Sequence, residues 1–180
     1  MTNLAENCWV RQVTGRYFAG GTVSTDDPAI RITVEDCANL DPVSIITGGQ
    51  RYSFPINGQR VLVQRCFSRK GRHDFITGYQ NPGPNSYVDC TSKNTYADSG
   101  PHNCWSTGIL YDNVKTDQLL VQDRDYLGTG QGWAGANHLL WNCEAKIICQ
   151  KPPTADNWAL GCKGTIGNPL VVRPSGIFES

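Results

Sequence analysis

One recurring strand-sized motif constrains this chain more than anything else in it. Cys37 ends the run Ile32-Thr-Val34-Glu-Asp36-Cys37, Cys66 ends Val61-Leu-Val63-Gln-Arg65-Cys66, and Cys90 ends Asn85-Ser-Tyr87-Val-Asp89-Cys90. Cys143 and Cys162 close His138-Leu-Leu140-Trp-Asn142-Cys143 and Asn157-Trp-Ala159-Leu-Gly161-Cys162. Two more copies, Cys8-Trp-Val10-Arg-Gln-Val13 and Ile109-Leu-Tyr111-Asp-Asn113-Val114, carry valine at the last place. The last places are 13, 37, 66, 90, 114, 143 and 162, so the spacings are 24, 29, 24, 24, 29 and 19 residues. The third residue before each is apolar, and the residue just before it is polar or glycine.

Alternate residues of a strand point to one face. A short strand with inward apolar residues, a polar bend and then a small inward cysteine or valine is therefore one side of a coil. Asp and Asn suit the bend because they bond locally to backbone and tolerate unusual φ. A period near 24 residues leaves room for three short strands and three turns. Stacking such coils pairs each strand in parallel with its counterpart one coil on, which makes a solenoid. The expected fold is all-β: a single-stranded right-handed parallel β-helix of about seven coils, roughly 30 Å long at a strand spacing of ~4.8 Å. A sandwich is the fallback, but its strands would recur at ~8–12 residues with hairpin turns, and Asn57-Gly58 is the one hairpin signal of that kind.

The remaining composition agrees. The 19 glycines and 10 prolines mark a turn-rich β chain. Sixteen basic residues balance 16 acidic ones, which leaves no nucleic-acid footprint. No apolar run approaches the ~20 residues of a membrane helix, and the first residues lack a secretory signal. Residues 1–180 read as one β-helix domain. Its first motif starts so close to Met1 that the chain is expected to be the C-terminal part of a longer helix. Otherwise its open end would be covered by those missing N-terminal coils or by a copy of itself, because bare strand edges need caps. Eight cysteines invite a disulfide reading. Stacked in register, however, Cys37, Cys66 and Cys90 would have Cβ atoms ~4.8 Å apart and parallel, whereas a disulfide needs ~3.8 Å and converging sulfurs. A ladder of buried thiols is expected. Cys8, Cys104 and Cys149 lie off the repeat and are free to pair. No Cys-x-x-Cys occurs, so no zinc site is expected.

Three loops carry usable chemistry. The first is Ser68-Arg-Lys-Gly-Arg72-His73-Asp74-Phe75. The second runs from Tyr96 through Asp98 and His102 to Trp105. The third runs from Gln122-Asp123-Arg124-Asp125 to Gly130-Gln131-Gly132-Trp133. Their offsets from the repeat place them on one side of the rod. Arg forks bind carboxylates, a His or carboxylate can act as acid or base, and Trp faces stack on sugars. These considerations nominate Arg72, His73, His102, Asp123 and Arg124 as catalytic groups, with Trp105, Trp133, Asp98 and Gln131 as substrate-binding ones. Plainer readings stand beside these. Arg72-His73-Asp74 also fits a solvated turn, and His102 also fits a loop cap. The glycines around Gln131 fit tight backbone packing. His138 aligns with Ile32 and Val61 and reads as a buried, bonded histidine. No metal site or cofactor is indicated; calcium stays open without support from the sequence.

Longer stretches resemble a known group. They are Gly71-Arg-His-Asp-Phe-Ile-Thr-Gly78, Pro82-Gly-Pro-Asn-Ser-Tyr-Val-Asp-Cys90, Ser99-Gly-Pro-His-Asn-Cys-Trp-Ser-Thr-Gly108, Gly130-Gln-Gly-Trp-Ala-Gly-Ala-Asn137 and Pro152-Pro-Thr-Ala-Asp-Asn-Trp-Ala-Leu-Gly-Cys162. Together they resemble secreted microbial proteins of the pectate-lyase-like right-handed β-helix superfamily over residues 9–180. The resemblance implies secretion, a polysaccharide partner, and lyase, glycoside hydrolase or non-catalytic glycan-binding function. Asn103-Cys104 and Gln131 depart from that group, which often has His or Arg after the position of His102 and His at that of Gln131. Lyase chemistry on a uronate-containing glycan is the leading expectation, since Arg and His outnumber paired carboxylates in these loops.

Overall fold

A computed structural model describes residues 4–179. The fold is nearly all-β, and its strands form two long sheets. Glu6–Arg11, Ile30–Glu35, Leu62–Gln64, Asn85–Val88, Ile109–Asp112, Leu139–Trp141, Trp158–Leu160 and Ile177–Glu179 make an eight-stranded first sheet. Thr14–Arg16, Ala38–Leu40, Phe67–Arg69, Thr91–Lys93, Lys115–Val121, Glu144–Cys149 and Lys163–Ile166 make a seven-stranded second sheet. Neighbours in both sheets follow chain order and run parallel, the arrangement of a parallel β-helix or solenoid. The single helical segment, Leu127–Gly130, is broken at Gly128.

The register of the first sheet is the one the motif dictates. Val10 pairs with Val34, Val34 with Val63, Val63 with Tyr87, Tyr87 with Tyr111, Tyr111 with Leu140 and Leu140 with Ala159. Each strand then turns toward the second sheet through one residue with positive φ: Gln12, Asp36, Arg65, Asp89, Asn113, Asn142 and Gly161. Four of these seven are Asp or Asn, the L-residues that enter the left-handed region most easily. A like bend ends second-sheet strands at Tyr17, Asp41, Lys70 and Asn94.

Inside, Val34, Val63, Tyr87, Tyr111, Leu140 and Ala159 stack as one buried column beside Cys37, Cys66, Cys90, Val114 and Cys143. Burying each Val or Leu contributes roughly 1.5–3 kcal/mol. The Tyr87 and Tyr111 rings lie 5.4 Å apart and nearly parallel, and Phe75 packs against Tyr87. All eight cysteines are free thiols, including Cys8, Cys104 and Cys149, so none of that off-repeat trio pairs. The ladder thiols lie near carbonyl oxygens one coil back; Cys90 Sγ is 3.5 Å from the Val63 oxygen.

Three polar residues interrupt the apolar column and are fully used. Asn85 Oδ1 accepts from the Val61 N–H at 2.8 Å, His138 Nδ1 accepts from the Ile109 N–H at 3.2 Å, and Asn157 Oδ1 accepts from the His138 N–H at 2.9 Å. Each ties its coil to the same register position one coil earlier. His138 is thus a buried, bonded histidine, as its alignment implies, and burial lowers its pKa to about 3. The nearby glycine-rich run is explained by packing. A side chain on Gly135 would strike the His138 ring and the Ser106 carbonyl, and Gly132 holds φ at +62°.

Candidate active site

The third side of the coil is built differently. Here the strands shrink to pairs, Ile76–Thr77 with Gly100–Pro101 and Ser106–Thr107 with Gly135–Ala136. Parallel bridges Tyr52 to His73 and Ile56 to Thr77 extend this side by one coil. Stacking brings three loops together: Arg51–Phe54, Arg72–Phe75 and Asp98–His102. Aromatic packing fixes their spacing, since the Phe54 and Phe75 rings stack at 6.1 Å.

At the centre lies the Asp98 carboxylate. His73 Nδ1 is 2.8 Å from the Asp98 main-chain oxygen and 3.3 Å from its Oδ1. That contact puts the His73 proton on Nδ1, so it donates to the Asp98 carbonyl. His102 Nδ1 lies 3.9 Å and an Arg124 guanidinium nitrogen 3.6 Å from Asp98 Oδ2. The His73 and His102 rings are 3.8 Å apart between centroids, and Tyr52 presents an edge-on contact to both at 5.2 and 5.4 Å. Arg124 Nε donates to Gln131 Oε1 at 2.6 Å.

The electrostatics follow from burial and these contacts. Burial acts to raise the Asp98 pKa, but His102 and His73 outweigh it and hold the carboxyl far below its usual range. Burial lowers the His102 pKa to about 4 against the opposing pull of Asp98, so its ring is neutral at neutral pH. Burial also lowers Arg124, opposed by Asp98, and raises Tyr52, opposed by Arg72 and Arg124. His73 Nε2, His102 Nδ1, Asp98 Oδ2 and Thr77 Oγ1 are buried without a hydrogen-bond partner.

A groove of about 570 Å³ opens against this cluster. Tyr52, Thr77, His102, Asn103 and Gln131 line it, with Arg51, Asn57 and Tyr79. No carboxylate is among its described lining residues. Both positions that depart from the resembled group, Asn103 and Gln131, stand in this groove. His73, Asp98 and His102 each offer a donor atom within 4.8 Å of the others and are the described residues that could hold a metal ion. Arg124 already supplies a positive charge beside that carboxylate, and His73 Nδ1 is committed to a carbonyl.

Of the nominated residues, His73, Asp98, His102, Arg124 and Gln131 come together, and Arg72 stands beside them against Tyr52. Arg72-His73-Asp74 is no solvated turn, because His73 and Asp74 are buried. Asp123 lies apart. Its Oδ2 accepts from Arg173 at 2.8 Å and its Oδ1 from the Asp125 N–H. Trp133 lines a separate cleft, and Trp105 sits at positive φ, 44% exposed. Arg51 and Tyr52 were missed, although a signal exists. Arg51-Tyr-Ser-Phe54 and Arg72-His-Asp-Phe75 are two copies of one Arg-aromatic-polar-Phe tetrad, 21 residues apart.

Comparison with family models, curated proteins and solved structures finds no match to this chain.

Proposed function

We propose that this chain is a right-handed β-helix of about seven coils from the secreted pectate-lyase-like superfamily, and that its groove cleaves a uronate-containing polysaccharide by elimination. One observation carries the reading. A neutral imidazole, His102, meets a groove without a lining carboxylate and is backed by a buried aspartate and flanked by arginines.

The chemistry needs those parts. His102 removes the proton beside the uronate carboxylate. The C–H electrons form the new double bond, the adjacent C–O bond breaks, and the leaving oxygen takes a proton from the Tyr52 hydroxyl or from water. Arg51 and Arg72 neutralise the sugar carboxylate, whose charge would otherwise oppose loss of that proton. Asp98 stabilises the imidazolium that forms, while His73 fixes the Asp98 segment. Hydrolysis would need two carboxylates flanking the bond, and Asp98 is buried behind the histidines.

The test is incubation with pectic, alginate and glycosaminoglycan polymers, followed by ultraviolet absorbance of unsaturated ends alongside reducing sugar. Unsaturated product that disappears in His102→Ala is the expected result. Reducing sugar without absorbance would replace the lyase with a hydrolase. Retarded migration in a glycan gel without product would leave a non-catalytic binding solenoid.

A further inference from the structure

A second cleft, of about 440 Å³, is lined by Trp133, Lys151, Pro152, Pro153, Thr154, Arg173 and Pro174. Nothing in the elimination scheme uses it. It shares a wall with the candidate active site, since Gln131 lines the groove and Trp133, two residues on, lines the cleft. Two residues of chain span at most ~7 Å. The intervening loop is pinned on both sides: the Arg124 N–H donates to the Gly132 oxygen at 2.7 Å, and the Trp105 N–H donates to the Trp133 oxygen at 3.0 Å.

The lining chemistry selects an occupant. One indole and three prolines make an apolar wall, which suits the C–H face of a pyranose. Both cations are already paired, Lys151 with Asp156 at 2.8 Å and Arg173 with Asp123 at 2.7 Å. A free carboxylate would have to displace one of those partners, whereas a sugar hydroxyl can share the remaining N–H groups and the Thr154 hydroxyl. Along a solenoid the coils advance ~4.8 Å each, close to the length of one pyranose in an extended chain. A glycan lying along the rod would therefore pass from one cavity into the other.

We infer that the Trp133 cleft is a distal subsite, which stacks an uncharged sugar ring of the same polysaccharide whose uronate occupies the His102 groove. The inference rests on the glycan reading of that groove, but not on its elimination chemistry. It also gives Asp123 a role, because that carboxylate holds Arg173 at the rim.

Affinity electrophoresis through gels containing the pectic and alginate polymers tests it on the intact protein. Trp133→Ala should weaken retardation about tenfold, equivalent to ~1.4 kcal/mol. Trp133→Phe should keep most of the binding, and Trp141→Ala, at another exposed tryptophan, should be unchanged. Trp133→Ala migrating like the parent protein would overturn the subsite, and so would a parent protein that no polymer retards. His102→Ala separates the two claims: it should still be retarded while forming no product. If the parent protein forms no product yet Trp133→Ala loses retardation, the elimination mechanism falls and the subsite stands.

Discussion

The first sheet and the groove side are built from the same coils under opposite rules. On the first sheet the column is apolar, and its polar members, Asn85, His138 and Asn157, each bond a neighbouring coil. On the groove side His73, Asp98, His102 and Thr77 bury polar atoms that have no hydrogen-bond partner. Each such atom costs roughly 1–3 kcal/mol, so the groove side is held in place by packing elsewhere. The difference separates a wall that holds the fold from a side kept ready for a ligand.

The largest expected effect breaks the comparison at its reactive end. Replacing His102 with Ala should lower turnover by about 10²–10⁴-fold and leave the unfolding midpoint unchanged or raised, because an unpaired buried nitrogen is removed. Since the base must be neutral, turnover should fall as pH drops through about 4. A variant that keeps its activity but melts earlier would make His102 a structural residue.

Next comes the wall. Leu140→Ala removes a fully buried side chain from the middle of the column and should destabilise by about 3 kcal/mol, measured by urea unfolding. Its turnover per folded molecule should be unaltered. A loss below about 1 kcal/mol would mean that the column collapses around the gap and is not the rigid support argued above.

His138 sharpens the contrast through pH. Its folded pKa of about 3 lies below the usual 6.5, so between those values the unfolded chain binds the proton more readily. The stability contributed by the neutral ring is therefore present above pH 6.5 and is lost as pH falls toward 3, by about 2 kcal/mol at pH 5. Asn occupies the same register position at Asn85 and Asn157, so His138→Asn should keep the ladder and shed this acid sensitivity. Identical acid unfolding of the two proteins would assign the sensitivity to the groove side, where His102 shifts in the same direction.

How far each region could be read in advance follows from the same difference. The wall was legible because identical positions recur and burial selects apolar residues there; the motif's alignment is the sheet's register. The groove side was only partly legible because its loops recur at unequal offsets, 21 residues from Tyr52 to His73 but 24 from Ile76 to Gly100. Counting residues placed Asp123 and Arg124 together. Strand alternation sends neighbours to opposite sides, so Arg124 reaches Asp98 while Asp123 turns to Arg173. Arg51 and Tyr52 escaped notice because their loop follows no cysteine motif.

The smallest predicted effect lies where the two regions meet. Tyr87 and Tyr111 are adjacent, stacked and fully buried, yet their hydroxyls differ. Tyr87 Oη lies 2.7 and 2.6 Å from the Phe54 and Ile76 carbonyl oxygens, whereas the Tyr111 hydroxyl has no partner. Removing a bonded hydroxyl forfeits the bond and strands its acceptors, but removing an orphan relieves a desolvated group. Tyr87→Phe should therefore cost about 1 kcal/mol in urea unfolding, while Tyr111→Phe should be neutral or stabilising, with the ring stack intact in both. Equal losses would mean that the Tyr111 hydroxyl is bonded after all, through a water reaching in from the groove side, and that side would then extend into the wall.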